Sequence, residues 1–168
     1  MASIPHPDAT SLVIPCAVLT VSDTRTPDTD RSGQTIQQLL RDQGHAIAAY
    51  TILQDDPSAI QAYLQVLNHD PAIAVVIVNG GTGIAPRDTT YDAIAQLLHK
   101  TLPGFGELFR FLSYQEIGSR AMASRAIAGT YGSQLLFSLP GSTNAVTLAM
   151  QKLILPELTH LVQQLRGR

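Results

Sequence analysis

The chain has one cysteine in 168 residues. That excludes an internal disulfide and suits a reducing, cytoplasmic setting. Cys16 lies inside the apolar run VIPCAVLTV, so it reads as a buried structural thiol and not as a nucleophile. Charge is scarce as well. Asp, Glu, Lys and Arg make up 14% of the sequence, against roughly 25% in an ordinary soluble domain. The net charge is −2 and no basic stripe is present, which excludes a nucleic-acid face. No apolar run approaches the roughly 18 residues of a membrane span. The first residues, MASIPHPDATSLVIP, lack the basic start and long apolar core of a signal peptide. Residues 1–14 read instead as a flexible arm suited to packing on a neighbour. The five histidines, His6, His45, His69, His99 and His160, have no metal-ligand spacing, and no Ser-His-Asp or Cys-His pattern is present. No repeat and no long linker divides the chain, so residues 15–168 read as one domain. A small domain with so little charge must solvate its surface otherwise or cover part of it. A homo-oligomer is the simple explanation, and an uncharged polar surface is the alternative.

What is present is an alternation of apolar strands and amphipathic helices. Strands are predicted over 16–21, 46–53, 72–78 and 133–139. The run 72–78 is apolar throughout, as a strand buried on both faces of a parallel sheet would be. Helices are predicted after each strand, marked by Ile36, Leu39 and Leu40, by Ile60, Leu64 and Leu67, and by Ile94, Leu97 and Leu98. Further helices follow over PGFGELFRFLSYQ, through Val146, Met150 and Leu153, and from Pro156 through Leu165. Ser32 is the expected N-cap of the first helix and Gly44 its stop. Asp56 before Pro57 is expected to cap the second. Such alternation makes an α/β sandwich with a largely parallel sheet. In these folds ligands sit beyond the carboxyl ends of the strands. Four strand ends carry polar, turn-forming residues: SDTRTPDTDRSG, QDDPS, NGGTGIAPRDTT and PGSTN. In a parallel sheet all four meet on one rim.

Gly80, Gly81 and Gly83 permit positive φ and close backbone approach. Their amides, with hydroxyls from Thr82, Thr89 and Thr90 and the start of a helix near Asp88, make a plausible phosphate cradle. No Gly-Lys-Ser/Thr follows, so this is not a P-loop, and Pro86 stands where a dinucleotide fingerprint would place its third glycine. A plain turn is an equally good reading of the loop alone. Asp23, Asp55, Asp56 and Asp88 all follow strand ends. Capping accounts for Asp56, serves Asp88 as a second reading, and leaves Asp55 with less structural reason. Carboxylates beside a phosphate repel it unless a cation intervenes, and Mg²⁺ is the natural choice. Arg25, Arg31 and Arg87 are candidate ligand contacts, Arg87 first because of its neighbours. Pro140 and Gly141 form a turn, and Ser142 and Thr143 either cap the next helix or offer a second anion site.

The motifs LTVSDT, DRSG, NGGTG with RDTT, PGFGE, EIG with SRAIAG, and LPGST stand in the order found in the MoaB/MogA family of molybdenum-cofactor biosynthesis proteins. The chain resembles that family from about Cys16 to about Gln151, and the 105–129 and PGST segments are closer to its MoaB branch. The resemblance implies a three-layer α/β/α sandwich, the MogA-like molybdopterin-binding fold, assembled as a trimer or a dimer of trimers. It implies binding of molybdopterin and adenylylation of its terminal phosphate with Mg²⁺ and ATP. It places the family's two functional aspartates at Asp55 and Asp88, as catalytic residues and metal ligands. The binding segments it implies are Ser22 and Asp23, then Gly80, Gly81, Thr82, Gly83 and Arg87, then Pro140, Gly141, Ser142 and Thr143. A molybdenum-insertion enzyme of the same pathway is an implied partner.

One departure stands out. The family usually reads Thr-Pro-Glu where this chain has Thr90-Tyr91-Asp92. A non-catalytic pterin carrier is therefore the alternative to a transferase, with an assembly module or a nucleotide phosphatase as further readings.

Overall fold

The computed structural model describes residues 12–167. One sheet of six strands has the order β2-β1-β3-β6-β5-β4. The strands are β1 Pro15–Val21, β2 Ala46–Leu53, β3 Val75–Asn79, β4 Lys100–Thr101, β5 Ile127–Tyr131 and β6 Gln134–Leu139. β2, β1, β3 and β6 run parallel. β5 pairs antiparallel with β6, and the short β4 antiparallel with β5, at one side of the sheet. The hairpin between β5 and β6 turns at Gly132, which sits at φ 57. β5 is not among the predicted strands, since IAGTY carries a central glycine and little apolar bulk. β3 also begins three residues later than expected. Ile73 and Ala74 are as buried as the strand, but Ala72 and Ile73 donate to Asp70 in a turn. Hydrophobicity does not separate a buried turn from a buried strand.

Period-two alternation divides the core into two layers. Cys16, Val18, Val75, Ile77, Leu135 and Phe137 face α1 (Arg31–Asp42), α4 (Pro103–Ile117), α5 (Thr143–Ala149) and α6 (Leu155–Leu165). Ala17, Leu19, Val21, Val76, Val78 and Leu136 face α2 (Pro57–Asn68) and α3 (Thr90–Leu97). The result is the three-layer α/β/α sandwich. Fully burying a side chain such as Phe109 or Leu64 contributes about 1.5–3 kcal/mol. β3 is therefore apolar on both faces.

The ends of α1 and α2 follow local chemistry with one exception. Asp56 caps α2 by accepting from the Ala59 amide at 2.8 Å, and Gly44 stops α1 at φ 79. The N-cap of α1 is Asp30, not Ser32. The Asp30 carboxylate takes the Gly33 amide at 3.0 Å, and Ser32 falls inside the first turn. α5 runs into α6 through a π-helical turn, Met150–Ile154. Pro156, which has no amide to give, follows directly in the first turn of α6. The arm expected over residues 1–14 lies outside the described residues as far as Ser11. Beyond that, Leu12 packs on the core and Ile14 is fully buried. Among the described residues no helix is long and apolar enough to cross a membrane.

Candidate functional site

The four parallel strands end at the same edge, and the loops after them form two adjoining clefts. The first, about 180 Å³, is lined by Ser22 and Asp23 after β1, Asp55 after β2, and Gly81, Arg87 and Asp88 after β3. The second, about 380 Å³, lies between Gly80–Gly83 and Pro140–Ser142, with Asp88, Ser124 and Arg125 on its walls. Gly81 and Asp88 line both. The site residues that the family resemblance implies thus come together, except Thr143; Thr143, Arg25, Arg31, Thr89 and Thr90 line neither cleft.

The glycine loop needs its glycines for two different reasons. Gly80 and Gly81 sit at φ 99 and φ 64, where a side chain is strained. Gly83 does not have positive φ and serves close approach instead. Space is what glycine supplies there, since a Cβ would meet the Asp88 carboxylate and push it from its place. A Cβ on Gly81 would meet Thr90 Oγ1 and Asp55 Oδ2. Both aspartates therefore press against the loop. The Gly80 amide is held by Leu139 O at 3.0 Å. The Gly81, Thr82 and Gly83 amides have no protein acceptor among the described residues, which leaves three donors along the second cleft, Gly81 standing where it adjoins the first.

The hydroxyls of Thr89 and Thr90 are not free donors for a ligand, as sequence reading had them. Thr89 Oγ1 donates to Asp55 Oδ1 at 2.7 Å, and the Thr89 amide and Thr90 Oγ1 reach the same oxygen at 3.3 Å each. A carboxylate is a stronger acceptor than any neutral group nearby, and it ties the loop after β2 to the start of α3. Asp55 Oδ2 has no protein donor among the described residues. Asp88 does not cap α3, whose N-cap is Thr89. Its Oδ2 instead accepts from the Ala85 amide at 3.1 Å. Asp23 Oδ1 accepts from the Asp55 amide at 3.2 Å. Arg87 is exposed at the first cleft.

Arg25 acts as a strut within the protein. Its Nη2 donates to Gly141 O at 2.9 Å, and its Nη1 pairs with Asp30 at 3.3 Å. Ser32 Oγ donates to the same Gly141 carbonyl at 2.7 Å. Asp30 is fully buried and also accepts from Thr20 Oγ1 and Tyr50 Oη. Burial, then the bond to Asp30, pushes the Tyr50 phenol well above its ordinary range. This network joins the loop after β1 to the loop after β6. Nothing local in the sequence marks the join, because Gly141 lies more than a hundred residues from Arg25 and Ser32. Ser22 Oγ closes a turn on the Thr24 and Arg25 amides. Ser142 Oγ caps α5 through the Ala145 amide at 3.2 Å, so capping is its observed role. Thr143 Oγ1 lies 3.4 Å from Ser32 Oγ.

Arg125, in the SRAIAG segment, also stands at the second cleft, with no role foreseen for it from the sequence. Its Nη2 donates to Asp92 Oδ2 at 2.6 Å, and its guanidinium lies 4.3 Å over the Tyr91 ring. Among the described residues no group of three or more His, Cys, Asp and Glu side chains is placed to hold a metal ion. Two carboxylates each keeping an oxygen open to a cleft do suit a cation that arrives with phosphate ligands of its own.

Residues 17–160 match the family model described as probable molybdopterin binding domain. The chain is 52% identical over 151 residues to molybdenum cofactor biosynthesis protein B of Bacillus anthracis, covering 89% of each. It is similar to a crystal structure of a molybdenum cofactor biosynthesis protein B, with TM-score 0.92 and 49% identity over 95% of this chain and 99% of that one. It is also similar to the tungsten cofactor synthesizing protein MoaB from Pyrococcus furiosus. There the TM-score is 0.80 with 34% identity, covering 92% and 98%.

Proposed function

The chain belongs to the molybdopterin-binding family of molybdenum cofactor biosynthesis protein B, and from that premise we propose that it adenylylates the terminal phosphate of bound molybdopterin with Mg-ATP. The observation that carries this reading is a pair of clefts sharing Gly81 and Asp88. A transferase must hold two phosphorylated molecules side by side, and a carrier needs room for one. The nucleophile would be a phosphate monoester, mostly dianionic at pH 7 with a second pKa of about 6. It needs no general base. The barrier is bringing two anions together, so the protein's part is positioning and charge.

The free amides of Gly81–Gly83 would hold phosphate oxygens along the second cleft, up to where it adjoins the first. Asp55 and Asp88 would hold the nucleotide's magnesium through the oxygens left open. That ion, bound with ATP, supplies neutralisation of the phosphates. Asp55 also orients α3 through Thr89 and Thr90. Arg87 at the first cleft would face the nucleotide, and Arg25 would act only by fixing Gly141.

The test is anaerobic incubation with molybdopterin, ATP and Mg²⁺, read by mass spectrometry. Adenylylated pterin and pyrophosphate are expected. In the same assay Asp88→Asn should lose turnover with little loss of pterin binding, and near-normal turnover would remove Asp88 from the mechanism. A second reading, binding without transfer, has one observation behind it. Asp55 Oδ1 is fully engaged by α3, as a purely structural carboxylate would be. Calorimetry with Mg-ATP separates the two, since a carrier gives no heat of nucleotide binding.

The same reading includes a cytoplasmic homo-oligomer. Leu108, Phe111, Tyr114 and Ile117 form an exposed ridge spaced three apart along α4, continued by Met122 at 86% exposed. A second copy of the chain is the occupant that would account for so much exposed apolar surface on a chain with so few charges.

A further inference from the structure

We propose that Arg125 recognises the terminal phosphate of the pterin, with Tyr91 and Asp92 fixing its guanidinium for that contact. This rests on the function proposed above. The cleft between the glycine loop and Pro140–Ser142 has one carboxylate, Asp88, and one cation, Arg125, on its walls. A dianion placed there against Asp88 requires a positive charge, and backbone amides carry only partial ones.

The guanidinium is held on two sides from the first turn of α3. Asp92 takes one Nη2 hydrogen, and the Tyr91 ring supports the flat face at 4.3 Å. Nε and Nη1 have no protein acceptor among the described residues. That arrangement leaves one edge of the fork for a bidentate contact with an oxyanion. The pair with Asp92 adds little stability of its own, because Asp92 is 63% exposed. What it does is restrict orientation. The clamp directly follows Thr89 and Thr90, which bind Asp55 in the adjoining cleft, so α3 sets the geometry of both clefts.

Binding of molybdopterin and of its enzymatically dephosphorylated form, measured anaerobically by calorimetry, tests the assignment. Wild-type protein should prefer the phosphorylated form. Arg125→Gln should weaken that form roughly tenfold to a hundredfold and leave the dephosphorylated form unchanged. Tyr91→Leu should weaken the phosphorylated form by roughly two- to fivefold. An Arg125→Gln protein that binds the phosphorylated form like wild type overturns the assignment while the proposed function stands. Equal loss for both forms also overturns it, since Arg125 would then be structural. Wild-type protein that binds neither form overturns the proposed function, and this inference with it. Should Arg125→Gln fail to fold, Arg125→Lys carries the test. It keeps the charge without the planar fork, so a several-fold loss confined to the phosphorylated form supports the assignment, and any other result overturns it.

Discussion

Cys16 is fully buried in β1, and burial pushes its thiol up to about 12. The thiolate is the reactive species, so the folded protein should resist iodoacetamide at pH 8 and react once urea unfolds it. Mass spectrometry of the two states checks this, and rapid alkylation of the folded chain would contradict the packing of β1. The aspartates show why residue type alone does not assign a role. Asp30, Asp55, Asp56 and Asp88 all follow strand ends or open helices. Asp30 is a buried anchor with four donors and Asp56 a plain cap. Asp55 and Asp88 line a cleft with an oxygen to spare. Their surroundings, set by distant residues, make the difference.

The loop after β3 is the element on which the site depends. Gly81 and Gly44 both have positive φ, but a Cβ on Gly44 meets nothing within 4 Å, whereas one on Gly81 meets Thr90 and Asp55. Gly44→Ala should therefore cost only the backbone strain, about 1 kcal/mol. Gly81→Ala should cost more, about 2–3 kcal/mol, because the Asp55 contacts to Thr89 and Thr90 must open as well. Urea denaturation of the two variants measures the difference, and equal costs would show that the loop moves aside freely. Gly81→Ala should also lose ligand binding, since it displaces the wall common to both clefts.

At the scale of the molecule, the sheet puts its functional loops on one edge and its apolar ridge on α4. In the proposed oligomer this ridge is covered. Phe111→Glu with Tyr114→Glu should yield a folded monomer by light scattering, with circular dichroism unchanged. A wild-type protein already monomeric at micromolar concentration would remove the proposal. The ridge leads through the turn Gly118–Ala123 to Ser124 and Arg125 at the second cleft, so the double variant should also weaken pterin binding.

The alternation of strands and helices, the two-faced burial of β3 and the gathering of four loops on one rim were legible in the sequence. Each depends on side-chain period and chain direction, which are local. The antiparallel hairpin of β5 and β6 was not legible, because a glycine-centred strand has no apolar signature. The division of polar groups between scaffold and site was not legible either. Arg25, Ser32, Thr89 and Thr90 serve the scaffold, and Arg125 stands at a cleft. A polar group takes the best acceptor within reach, and which acceptors are within reach depends on tertiary contacts as distant as Arg25 with Gly141. By itself the sequence determined which segments fold and where their ends point. Only the tertiary structure decided which of those ends hold each other and which remain open to a ligand.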